Sequence, residues 1–205
     1  MRLVTLFRLP FAIAILVTLG AAVGGYWWLV VLGLLVAIII FVFGRDPQRE
    51  FESHPLGIVS PIDGWVESIE QAHDPFLERE AVAARIRQGL LSPPIVRSPA
   101  EGRVENIWGG PEMPGRDEGH RFAVHLHTDE GDDIVFAFSR AQLIPGPLEW
   151  HVQPGERVGQ GQRRGLAGWG REVVIYLPAD SAAALQSGEH VKAGTRVVCE
   201  LVHAT

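Results

Sequence analysis

The stretch GLAGWGREVVIYLP, residues 165–178, carries three glycines in six positions just ahead of an apolar run that ends at Pro178. Glycines packed so closely mark backbone that must turn, or must approach something where a side chain would clash. The residue after Gly170 is therefore the first place to look for chemistry. It is Arg171, a planar cation able to grip an anionic phosphate as a fork but carrying no hydroxyl or thiol for nucleophilic work. A second candidate is FAVHLHTDE, where His125 and His127 lie two apart on an expected strand and so share a face. With Asp129 or Asp132 they have the ligand types of a metal site, but such alternation on a solvent-facing edge also occurs without metal, and no metal is expected. Serine hydrolysis finds no support, because no GxSxG elbow is present. Lys192, the only lysine, stands in a turn without the flanking methionines of a lipoyl or biotinyl carrier. Cys199 has no partner for an intramolecular disulfide and reads as a small apolar residue of the strand TRVVCELV.

What positions these residues begins with an apolar N-terminus. No Asp, Glu, Lys or Arg occurs from Leu9 to Gly44, a run roughly 54 Å long as helix where one bilayer core needs ~30 Å. GAAVGGYWW breaks it: Gly24-Gly25 favours a turn, and Tyr26, Trp27 and Trp28 suit a membrane interface, so two short spans are expected, about 9–24 and 27–43. Arg2 and Arg8 flank one end and Arg45 and Arg49 the other, which by the positive-inside rule places both ends in the cytoplasm. A cleaved signal peptide fits less well, since no small-x-small cleavage site precedes a polar mature segment. A single tilted span with the domain outside is the alternative topology. The net charge of −6 and the lack of a basic stripe speak against nucleic acid, and also against a broad electrostatic grip on anionic lipid.

The remainder, 46–205, is long enough for one core. GIVSPIDGWVESI, HRFAVHLHT, DDIVFAFS, REVVIYLP and TRVVCELV read as short strands cut by Gly and Pro, and only 77–91, LEREAVAARIRQGLL, reads as a helix. The expected fold is mainly β, a small barrel or sandwich behind an α-helical transmembrane hairpin (1–45). Two internal echoes support it: SPIDGWV (60–66) with SPAEGRV (98–104), and PGERVGQGQ (154–162) with SGEHVKAGT (187–195). Each has the form turn, glycine, strand, as in the hairpins of lipoyl-type domains, and turn chemistry alone accounts for such segments.

Taken in order, five motifs resemble the phosphatidylserine decarboxylase family in its short, membrane-anchored form. FGRDPQRE (43–50) is similar to FFRDPER, VSPIDGWV (59–66) to VSPADGKV, RSPAEGRVE (97–105) to NRAPVSGRVE, and EGHR (118–121) to ENER. PGERVGQGQRRGLAGWGREVVIYLP (154–178) is similar to PGDRVKRGERFGMIRFGSRVDVYLP. The resemblance spans roughly 38–201. It implies phosphatidylethanolamine metabolism at a bacterial inner membrane, by enzymes that cut their own chain between Gly and Ser. The serine becomes a pyruvoyl group, which condenses with the substrate amine and acts as electron sink for decarboxylation.

The same alignment puts Trp169 on Phe, Gly170 on Gly and Arg171 on the reactive serine, and the chain contains no Gly-Ser dipeptide. Gly194-Thr195 is the nearest substitute, but it matches a family turn. Asp63 falls on the aspartate that assists self-cleavage, and its alternative is a turn-capping role. Pro94 falls on the family histidine, so the general base is missing. Glu118, His120, Arg121 and Trp169 are the candidate binding residues. The expectation is a degenerate member with no pyruvoyl cofactor at Gly170-Arg171, a lipid-binding or regulatory pseudoenzyme whose partners are membrane phospholipid and itself or an active paralogue. A decarboxylase with a different electrophile is the alternative. A membrane-fusion-type adaptor ranks last, for want of a heptad run.

Overall fold

The computed structural model describes residues 2–49, 53–109, 113–115, 119–139 and 148–202. They form two compact units, 1–48 and 49–205.

The first unit is a helical hairpin. β1 (Arg2–Leu3) leads into α1 (Thr5–Val23), and α2 (Trp27–Gly44) ends at β2 (Arg45–Asp46). The turn falls at Gly24-Gly25, with Gly25 at φ 75°, where a side chain would be strained. β1 pairs antiparallel with β2, which clips the two ends together. Both helices are long and apolar enough to cross a membrane. A carbon added to Gly33 would lie 2.1 Å from the Thr18 hydroxyl, so the helices meet on a small residue, as helices do where lipid supplies no hydrophobic drive.

The second unit is mainly β, as expected. Its strands are β3 (Gly57–Val59), β4 (Gly64–Asp74), β5 (Arg79–Gln88), β6 (Ile95–Arg97), β7 (Gly102–Gly109) and β8 (His120–Thr128). They continue with β9 (Asp133–Ser139), β10 (Leu148–Trp150), β11 (Arg157–Val158), β12 (Arg163–Ala167) and β13 (Glu172–Pro178). The last three are β14 (Ala182–Ala183), β15 (His190–Val191) and β16 (Val197–Glu200). Eight of them make one curled sheet, a half-barrel, in the order β11-β7-β8-β9-β13-β5-β4-β15. Two three-stranded sheets, β10-β12-β6 and β14-β16-β3, complete the unit.

The helix expected over 77–91 is corrected here: 79–88 is β5, paired with β4 on one side and β13 on the other. Ala, Glu and Arg favour helix locally, but the strand is buried on both faces. Val82, Ala84 and Ile86 enter the larger core, whereas Ala81 and Ala83 enter a second cluster on the opposite face with Phe76, Val174 and Tyr176. A strand covered on both sides shows no clean alternation, and its alanines give room for close packing.

The two echoes are structurally real and interlocked. Val191↔Gly64 and His190↔Trp65 in one copy repeat as Val158↔Gly102 and Arg157↔Arg103 in the other. Val66 N–H donates to Glu189 O as Val104 N–H does to Glu156 O, each at 2.9 Å. The copies also bond each other reciprocally, Val59 N–H to Pro99 O and Arg97 N–H to Pro61 O, again each at 2.9 Å. At the start of β4 and of β7 the chain must cross a neighbouring backbone closely. A carbon on Gly64 would sit 2.0 Å from the Arg87 carbonyl, and one on Gly102 2.2 Å from the His127 carbonyl.

Gly64→Ala is expected to lower unfolding free energy by ~2 kcal/mol or more, because backbone rather than a yielding side chain blocks the added carbon. Gly109→Ala is the control, since its carbon meets the Phe122 ring at an ordinary 3.7 Å. Denaturant unfolding of the two variants beside the parent checks this.

Candidate functional site

The GWGR turn, 168–171, joins β12 to β13 and sits where three other segments converge. Arg171 O accepts the N–H of Gln88, the last residue of β5, at 2.8 Å. Ala167 N–H donates to Pro94 O at 3.1 Å. The end of β9 supplies Ser139, whose hydroxyl accepts the Glu172 N–H at 2.9 Å and whose carbonyl accepts a hydrogen bond from Arg171 Nη1 at 2.9 Å. Gly170 has φ 67°, a left-handed value that favours glycine, and Trp169 is buried.

Arg171 is only 7% exposed. Burial pulls its pKa below the ordinary guanidinium value, because leaving water disfavours the charged form. Its side chain is thus part of the packed end of the sheet, and it is not displayed as an anion clamp. Sequence reasoning passed over Ser139 and Gln88, which hold this turn from strands remote in the chain. No local signal marks a serine or glutamine as the partner of a turn 32 or 83 residues away.

Asp63 is buried and fully engaged. Arg49 grips it with both nitrogens, Nη1 to Oδ1 at 2.6 Å and Nη2 to Oδ2 at 2.5 Å, and Ala193 N–H donates to Oδ1 at 2.7 Å. Arg49 Nη1 also reaches Ala193 O at 2.9 Å. Since Gly64 registers with Gln88 and Gln88 bonds Arg171, strand β5 lies between Asp63 and the GWGR turn. The carboxylate is directed to the 193 turn, and its hydrogen bonds among the described residues run to Arg49 and Ala193. Arg49 belongs to the FGRDPQRE motif, so its presence was legible, but its partner was not.

The remaining candidates divide between the same end of the sheet and elsewhere. Glu118 lies outside the described residues. His120 is the cross-strand partner of Ser139, is buried, and has Nε2 at 3.0 Å from the Tyr176 hydroxyl beneath Phe76. Arg121 donates to the His120 carbonyl at 3.2 Å. Pro94 is buried beside the turn and offers only its carbonyl. Thr195 stands in the turn before β16, its hydroxyl 3.3 Å from Lys192 O. Burial pushes the Cys199 thiol up to about 12, which leaves it protonated and inert at neutral pH.

His125 and His127 do share a face, but their carboxylate is Asp133, in place of the expected Asp129 or Asp132. His125 Nε2 and His127 Nδ1 both lie 2.9 Å from Asp133 Oδ1. Asp133 registers directly with His127, whereas Asp129 pairs with Arg157 across the turn and the Asp132 N–H donates to Thr128 Oγ1. Burial pushes the Asp133 carboxyl up, and the bonds from His127 and His125 outweigh it, leaving its pKa lowered. Both rings point at a single oxygen, and among the described residues no three potential ligands are arranged to hold a metal ion.

Arg171→Leu keeps the volume roughly filled but leaves the Ser139 carbonyl without that donor. Its expected cost is ~1–3 kcal/mol in denaturant unfolding, whereas an arginine reaching into solvent would change stability by no more than ~0.5 kcal/mol.

A model of the family described as Phosphatidylserine decarboxylase matches residues 36–199. The phosphatidylserine decarboxylase proenzyme of Nitrosomonas europaea is 31% identical over 197 residues, covering 93% of this chain and 89% of the relative. That of Aromatoleum aromaticum is 34% identical over 203 residues, covering 94% and 93%. That of Burkholderia multivorans is 31% identical over 195 residues, covering 92% and 90%. The chain therefore belongs to the phosphatidylserine decarboxylase family, a pyruvoyl-dependent family of phospholipid metabolism.

Proposed function

We propose that this chain is a membrane-anchored homologue that forms no pyruvoyl group at Gly170-Arg171 and serves phospholipid metabolism as a lipid-binding or regulatory protein. The observation that carries the reading is Arg171. A pyruvoyl group must come from a residue whose hydroxyl attacks the preceding carbonyl and is then eliminated. Arg171 has no hydroxyl, and its guanidinium is buried and engaged with the Ser139 carbonyl. The Ser139 hydroxyl is close by, but it follows Phe138 and accepts the Glu172 N–H. The residues present at Gly170-Arg171 do not fit the group.

Two further residues favour the same reading. Pro94, beside the turn, supplies no proton acceptor where the resemblance expects histidine. Asp63 is held by Arg49 and the Ala193 N–H, which suits a structural tie between the two echoes. On this reading α1 and α2 cross the inner membrane as a hairpin. The arginines at 2, 8, 45 and 49 keep both ends, and the β unit, in the cytoplasm. Its partners are membrane phospholipid and a second copy or an active paralogue.

The test is the intact mass of the purified chain with a carbonyl-reactive alkoxyamine probe. One uncleaved polypeptide of 22.5 kDa that ignores the probe is expected. Two fragments split after Gly170, one with a probe-reactive terminus, overturn the proposal. Arg171→Ser creates a Gly-Ser pair and is expected to stay intact, because Pro94 leaves it without a base. Self-cleavage of that variant would mean that the hydroxyl alone was missing.

A further inference from the structure

We infer that the turn 192–196, together with Trp65, docks the headgroup phosphate of a bilayer phospholipid, at a place separate from the GWGR turn. The inference rests on the reading that α1 and α2 cross the membrane. A cavity of about 250 Å³ is lined by His190, Lys192, Thr195 and Arg196. Lys192 is exposed and, among the described residues, makes no ion pair. Arg196 holds Glu189 at 3.2 Å, with 56% and 40% of the two side chains exposed, a rim pair of the kind that exchanges readily for another anion. Ammonium, guanidinium and imidazole around one small cavity are donors suited to phosphate oxygens, whereas the Thr195 hydroxyl donates to Lys192 O at 3.3 Å and would have to turn to join them.

The second copy of the repeat is an internal control. Where the first has Lys192 and Thr195, the second has Gly159 and Gln162. Gln162 folds over its own turn, its Oε1 accepting the Gly159 N–H at 3.1 Å, and a carbon on Gly159 would lie 2.8 Å from Gln162 Nε2. That copy is covered by the Gln162 side chain, which would have to swing aside for a side chain at 159. Thr195 is too short to cover the 192–196 turn, which stays open and gains a cation.

Apolar surface borders the cavity. Trp65, 47% exposed, registers opposite His190 and meets its ring edge-on at 5.1 Å. A carbon on Gly89 would lie 2.8 Å from the Trp65 ring, and Gly89 leads directly into exposed Leu90 and Leu91. An exposed tryptophan with leucines on one side and cations on the other matches the composition of a membrane interface.

The bilayer is within reach by covalent connection alone. Arg49 bonds Ala193 O inside this turn, and α2 ends at Gly44. Five peptide steps from Gly44 to Arg49 span no more than ~18 Å fully extended. A chain with net charge −6 has no general attraction for anionic lipid, so contact calls for a local cationic site of this kind.

The test uses the full chain reconstituted in phosphatidylcholine vesicles with and without phosphatidylglycerol. An environment-sensitive label on Leu90→Cys reports insertion, and the same label on Glu130→Cys, in an exposed turn, is the reference; Cys199 is buried and escapes labelling. The label at 90 is expected to brighten at least about twofold over the reference in anionic vesicles. With each cation near an anionic surface contributing about fivefold, Lys192→Gln with Arg196→Gln should shift docking about 25-fold and abolish the gain. Both side chains are exposed, so the fold should be unaffected. Equal brightening in the double variant, or none above the reference, overturns the inference. So does an equal response of the detergent-solubilised chain to inorganic phosphate, which would make this a site for the free ion. Alkaline carbonate washing of the same vesicles separates the two readings. A chain that washes off overturns the membrane span and the docking with it, whereas a retained chain with a dim label overturns the docking alone.

Discussion

The β unit depends on two close backbone crossings, at Gly64 and Gly102, where two copies of one small motif lock into each other. Each copy begins with a serine whose hydroxyl bonds the backbone two residues on, at 2.6 Å for Ser60 and 2.8 Å for Ser98. Each then crosses a neighbouring strand on a glycine and is met by a segment returning from much later in the chain, Val191 opposite Gly64 and Val158 opposite Gly102. Because the copies also bond one another, neither can form its full set of hydrogen bonds alone. The central strands β5, β8, β9 and β13 fill the space between, their middle residues divided between the two core clusters.

The ends of the sheet are held differently from its middle. The GWGR turn is held from three sides by groups that need only backbone atoms or small side chains: Gln88 N–H, Pro94 O and Ser139. A residue after Gly170 can be exchanged without disturbing the ladder, provided its side chain finds acceptors. Arg171 finds one in the Ser139 carbonyl, so its buried guanidinium fits the packed end of the sheet.

Asp63 and the 193 turn illustrate the same economy at the other edge. A carboxylate that bonds one N–H of a turn would be an ordinary cap; clamped by Arg49 it also ties the first residue of the β unit to the repeat. The pseudo-symmetric Glu101 instead pairs with Arg157 at 3.6 Å, in a more exposed setting. Two sequence-equivalent acids thus take different work from their surroundings.

From the residues alone came the two apolar spans with their Gly-Gly break, the β character, the internal echoes and the absence of any Gly-Ser pair. All of these are properties of composition or of short windows. The tertiary structure decided what depends on distant partners. It made 79–88 a strand because both of its faces are covered, against a local preference for helix. It gave His125 and His127 the carboxylate of Asp133 in place of Asp129 or Asp132, because strand register sets which acid lies opposite. It also turned Arg171 inward, since a guanidinium's direction depends on which acceptors the neighbouring strands bring within hydrogen-bond distance.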